Sequence, residues 1–100
     1  MVCQVFLTRE AEKRLLAIRD RRVRKLLYSR AMKLQNSPEQ QGKPLVRKLA
    51  GFRSVRAVGQ RYRIIYEIDG SRQEVWVVTL GIRKEGNRGD VYEIASKLGE

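Results

Sequence analysis

The order of apolar and polar residues divides the chain into a helical first part and a strand-forming second part. Val2–Leu7 is short, rich in β-formers and interrupted by Gln4, which predicts a first strand. Thr8 then stands where a helix N-cap belongs, with Glu10 and Glu12 in the first turn, where the helix dipole favours anions. Ala11, Leu15 and Ile18 follow at helical spacing. Beyond Arg19-Asp20-Arg21-Arg22 the spacing resumes as Val23, Leu27, Ala31 and Leu34. This predicts a helical hairpin or one kinked helix, its apolar stripe against a sheet and Arg9, Lys13, Arg14, Arg24, Lys25, Arg30 and Lys33 on a solvated outer face. Ser37-Pro38 ends the helices, and the polar stretch through Gly42-Lys43-Pro44 reads as a loop.

From Phe52 onward the period changes to that of strands. Phe52–Val58, Tyr62–Ile68 and Glu74–Leu80 are separated by Gly59-Gln60 and by Asp69-Gly70-Ser71-Arg72, which predicts a meander of three antiparallel strands. Asp90 looks like a cap, and Val91, Ile94, Ala95 and Leu98 predict a short terminal helix. Helices grouped against one side of a small antiparallel sheet make an α+β layer fold, expected as one domain over residues 1–100.

Charge changes the picture. The chain carries 22 basic and 11 acidic side chains, a formal charge of +11 on 100 residues. Such an excess attracts polyanions at long range and points to RNA or another acidic partner. Residues 41–68 hold seven basic side chains against one acidic, five of them Arg, which makes forked contacts to phosphate oxygens. There is no His, and Cys3 is alone. A disulfide and a zinc site are therefore not expected, nor is any cofactor. No run reaches membrane-spanning length and the first residues lack a basic segment followed by a long apolar one, so a reducing cytoplasm is the expected compartment.

The candidate chemistry follows from strand register. A two-residue type II′ turn at Gly59-Gln60 would set Arg56 opposite Arg63 on one face, with Val55 opposite Ile64 and Ala57 opposite Tyr62 on the other. Like charges so placed repel unless something neutralises them, and a bound phosphate would. Val75, Val77, Thr79, Gly81 and Arg83 share one parity. Arg83 therefore joins the pair only if the second hairpin has an odd-numbered connection, and a tight Asp-Gly turn would send it to the other face. Tyr92 is rotated off the stripe of the last helix. It is either an edge aromatic covering the sheet or a phenol that shares in proton transfer. Without His, a pair of catalytic imidazoles is excluded.

Three segments, Tyr62-Arg63-Ile64-Ile65-Tyr66, Gly81-Ile82-Arg83 and Asp90-Val91-Tyr92, resemble in order and spacing the RelE/ParE toxin superfamily, and the likeness runs over essentially the whole chain. The resemblance implies two N-terminal helices on a small antiparallel sheet. For the RelE branch it implies cleavage of messenger RNA in the ribosomal A site, with Arg63 and Arg83 on the scissile phosphate and Tyr92 in catalysis. Lys48, Arg53, Arg56, Arg61 and Lys84 are then expected to bind RNA phosphates. Arg56 and Ser54 stand where such toxins carry lysines, one of them the base, so the general base is unassigned here. The ParE branch instead poisons DNA gyrase. Either branch implies a cognate antitoxin that covers the basic face and through which the complex binds operator DNA. The leading expectation is a metal-independent, ribosome-dependent mRNA endonuclease; a gyrase-directed toxin and a non-enzymatic RNA-binding module are the alternatives.

Overall fold

The computed structural model describes residues 2–84 and 89–98. Strand β1 (Gln4–Leu7) leads into helix α1 (Arg9–Leu16), capped by the Thr8 side chain, which accepts from the Ala11 N–H. Helix α2 (Arg21–Met32) begins at Asp20, whose carboxylate accepts from the N–H groups of Arg22 and Val23. This second cap separates the two helices, so the helical half is a hairpin and not one kinked helix. Strands β3 (Arg53–Ala57), β4 (Tyr62–Asp69) and β5 (Glu74–Ile82) form the expected meander, and helix α3 (Val91–Leu98) closes the described chain.

The fold is α+β, but the sheet is mixed rather than antiparallel throughout. Among the described residues it has five strands in the order β1-β5-β4-β3-β2, with β1 parallel to β5. The short β2 (Lys43–Pro44), expected as loop, pairs with Ser54 and Arg53 of β3. Gly42 makes that approach possible. Its φ is +62°, and a Cβ there would stand 2.3 Å from the Ser54 carbonyl oxygen.

Alternate strand residues feed two cores. Ala11, Leu15, Leu27, Ala31 and Leu34 of the helical hairpin and the 3-10 turn after it pack on Val55, Ala57, Ile64, Tyr66, Val75, Val77 and Leu80. Ile65 and Val78 point the other way, to Val91 and Ala95 of α3. The three helices are therefore not grouped on one side of the sheet. The hairpin covers one face, and α3 covers part of the opposite face.

The β3–β4 register is the expected one, from Arg53 opposite Tyr66 to Ala57 opposite Tyr62. The turn differs: Gly59 and Gln60 both have positive φ, 65° and 72°, which suits type I′ and not type II′, where only the first central residue does. Val58 beside them has φ 47°, a left-handed conformation that a β-branched residue tolerates poorly.

Candidate functional site

Across β3, β4 and β5, Arg56 lies opposite Arg63, and Arg63 opposite Gly81. The second hairpin connects Asp69 to Glu74 through four residues, an even number that alone would turn Arg83 toward the helical hairpin. It does not, because the register shifts between Ile65, opposite Thr79, and Tyr66, opposite Val77, leaving Val78 as the extra residue of a β-bulge. The single parity from Val75 to Arg83 is thereby broken: Val77 faces the hairpin core, and Thr79, Gly81 and Arg83 take the face of Arg63. The bulge is held from outside the hairpin, since the Thr8 hydroxyl donates to the Val78 carbonyl at 2.9 Å and the Thr8 N–H to that of Val77 at 3.0 Å.

Helix α3 completes the site from above this face. Tyr92 lies in its first turn with the Arg83 guanidinium carbon 4.7 Å from its ring centroid, a cation–π arrangement. The Tyr92 hydroxyl is 2.8 Å from Ser54 Oγ on β3. Beside them runs an open groove of about 650 Å³, bordered by Arg30, Lys43, Ser54, Arg56, Arg63 and Tyr92. All six of these residues are cationic or hydroxyl-bearing, a composition suited to a phosphodiester.

The charges are not equally free. Arg63 Nη1 donates to the Gln60 carbonyl and, at 3.1 Å, to that of Tyr62, so the turn supplies part of the compensation its charge needs. Among the described residues Arg56 reaches only the Gln60 side chain, at 3.4 Å, and is exposed. Arg83 is ion-paired with Asp90, Nη1 to Oδ2 at 2.6 Å. Burial alone would raise the Asp90 carboxyl, but the bond from Arg83 and the N–H groups of Lys84 and Tyr92 outweigh it and hold the group below the usual carboxylate range.

A sequence comparison with curated proteins finds no match. Residues 5–86 match the family described as the ParE toxin of type II toxin–antitoxin system, parDE. The chain belongs to this toxin family. The structure is similar to a chain of the toxin–antitoxin complex RelBE2 from Mycobacterium tuberculosis, with 31% identity, a TM-score of 0.75 and coverage of 83% of this chain and 93% of that one. A mutant of the E. coli toxin RelE in the free state shares the fold at 20% identity, with a TM-score of 0.75 and 98% of each chain covered. A chain of the chromosomal ParDE system of P. aeruginosa does so at 18% identity and a TM-score of 0.67, with 81% of this chain and 96% of that one covered.

Within this toxin the sequence-predicted residues separate. Arg56, Arg63, Arg83 and Tyr92 share one face. Arg61 lies opposite Arg83 at its edge, where the Arg83 N–H donates to its carbonyl at 2.8 Å. Lys48 is exposed on the far side of Tyr92, in a depression with Glu93 and Ser96. The Lys84 side chain is exposed and borders a different hollow, with Arg14 and Tyr62. Arg53 is not part of the cluster. It sits on the opposite face, and its guanidinium donates to the carbonyls of Gln41 and Gly42 and to the Tyr66 hydroxyl, fastening the loop ahead of β2. Sequence reasoning missed Arg30 and Lys43 as groove neighbours: Lys43 is brought there by the β2–β3 pairing, and Arg30 reaches from α2, where its guanidinium donates to the Gln41 side chain at 2.8 Å. It saw Asp90 as a cap but not as the partner of Arg83. Among the described residues no helix is long and apolar enough to cross a membrane, and no group of three or more His, Cys, Asp or Glu side chains could hold a metal ion.

Proposed function

We propose that this toxin cleaves messenger RNA in the ribosomal A site and so arrests translation. The observation that carries the reading is the convergence of Arg56 and Arg63 with the Ser54–Tyr92 hydroxyl pair along one groove, with Arg83 on the same sheet face over the Tyr92 ring. In the proposed reaction the substrate's own 2′-hydroxyl attacks the phosphorus, and the 5′-oxygen leaves. Arg63 and Arg83 stabilise the charge that gathers on the phosphoryl oxygens. Tyr92 touches the reacting atoms and shares in moving a proton. The products are a 2′,3′-cyclic phosphate, or its opened form, and a 5′-hydroxyl, with no metal as catalyst. Arg56, Arg61, Lys48 and Lys84 attract flanking phosphates, while Arg53 has no part in it. The partner in the resting state is an antitoxin, in keeping with RelBE2 and ParDE, which are toxin–antitoxin systems.

A gyrase-directed action is the second reading, favoured by the family match to ParE. Expressing the toxin and timing the two arrests separates them. Protein synthesis is expected to stop first, with mRNA fragments bearing 5′-hydroxyl ends. Replication stopping first, with gyrase-linked DNA breaks, overturns the leading reading in favour of the second.

A further inference from the structure

Asp90 lies two residues before Tyr92 and seven after Arg83, and its one carboxylate touches both segments. The residue is 1% exposed. Its Oδ2 accepts from Arg83 Nη1 at 2.6 Å and from the Tyr92 N–H at 3.1 Å, while Oδ1 accepts from the Lys84 N–H. Capping α3 explains only the bond to Tyr92, and a serine or asparagine would serve there equally well. The bond to Arg83 is not a capping bond. It fixes a long side chain that, untethered, would sample many rotamers at the end of β5. It also costs function something, because a carboxylate beside a phosphate-binding guanidinium weakens the pull of that guanidinium on phosphate.

We infer that Asp90 is a positioning residue: it holds the Arg83 guanidinium over the Tyr92 ring, trading phosphate affinity for the geometry of the two groups. This rests on reading the groove as the RNA-cleaving site. The carboxylate joins the end of β5 to the first turn of α3, so a single buried group links the cation that meets the phosphate to the segment that carries the phenol. No other described side chain bonds to both the Arg83 side chain and the backbone of Tyr92.

The test uses Asp90→Asn and Asp90→Ser, both of which keep a good cap and remove the charge. Single-turnover cleavage of mRNA on programmed ribosomes is expected to fall about 10–100-fold, as for a misplaced catalytic group. Binding of a short non-cleavable RNA is expected to be no weaker, with a salt dependence steeper by about one phosphate contact. In an Arg83→Gln background, adding Asp90→Asn should change neither quantity, because its effect runs through Arg83. Wild-type cleavage rates in both variants would overturn the inference, and so would parallel losses of binding and cleavage that persist in the Arg83→Gln background. If the unmutated toxin cuts no RNA, the proposed activity itself fails. The salt slope then judges the positioning role: a steeper slope in the Asp90 variants upholds it, and an unchanged one overturns it.

Discussion

Ser54 Oγ and Tyr92 Oη lie 2.8 Å apart although 38 positions separate them in the chain. Ser54 is buried and Tyr92 half-buried, and this bond links strand β3 to helix α3 at the edge of the groove. Removing one partner leaves the other unpaired. Tyr92→Phe should therefore lower single-turnover cleavage by about 10²-fold or more while changing RNA affinity little, since the ring under Arg83 survives. Ser54→Ala should cost about 1 kcal/mol in denaturant unfolding and broaden the placement of the phenol. Undiminished cleavage by Tyr92→Phe would remove the phenol from the mechanism.

Arg56 and Arg63 face each other, but their partners differ, so their alanine variants should too. Arg56→Ala relieves repulsion and loses one long contact, and its melting temperature should not fall. Arg63→Ala also strips the donor from the Gln60 and Tyr62 carbonyls and should cost about 0.5–1.5 kcal/mol. Both should flatten the salt dependence of RNA binding by about one contact. Equal stability losses in the two variants would contradict this assignment.

Thr79 is fully buried, and its hydroxyl has no hydrogen-bond partner among the described residues. Thr79→Val keeps the shape and removes the unpaired polar atom. Stability should rise by about 1 kcal/mol in chemical denaturation. A loss of comparable size would mean that the hydroxyl is paired in solution.

Acid stability should report on two carboxylates. The Asp90 carboxyl is held low in the folded state by its bonds despite burial, and that of Asp69 by the Ser71 hydroxyl and the Arg72 N–H. A group whose folded pKa is depressed stabilises the fold above its unfolded value, about 3.9 for Asp, and that contribution is lost as pH falls through the folded value. Asp90→Asn should thus be less stable than the unmutated toxin at neutral pH, with the gap closing as the pH drops below about 4. Melting curves across pH 2–7, on the order of one per unit, would show it, and a gap independent of pH would refute the ionic role.

The elements governed by short-range rules were legible. Thr8 capped α1 as its type and position demanded, and Gly59 and Gln60 set Arg56 against Arg63 through turn geometry alone. The stripe of Val91 and Ala95 identified the packed side of α3. Such signals act over a few residues, so the local order of residues carries them in full. Even there the backbone of Gln60 took a left-handed φ that its side chain does not announce.

Residue order alone was enough to read a helical half, the meander, the first hairpin's register and the positive charge, because helical period, strand period and turn chemistry are local properties of the chain. Long-range packing settled that the helical half is a hairpin, that β1 runs parallel beside β5, that α3 covers the face away from the hairpin, and that Arg83 shares a face with Arg63. The last depends on one extra residue at Val78, whose carbonyl is met by the Thr8 hydroxyl 70 positions away. Strand parity flips with every residue inserted, and no local rule counts a bulge that a distant side chain holds in place.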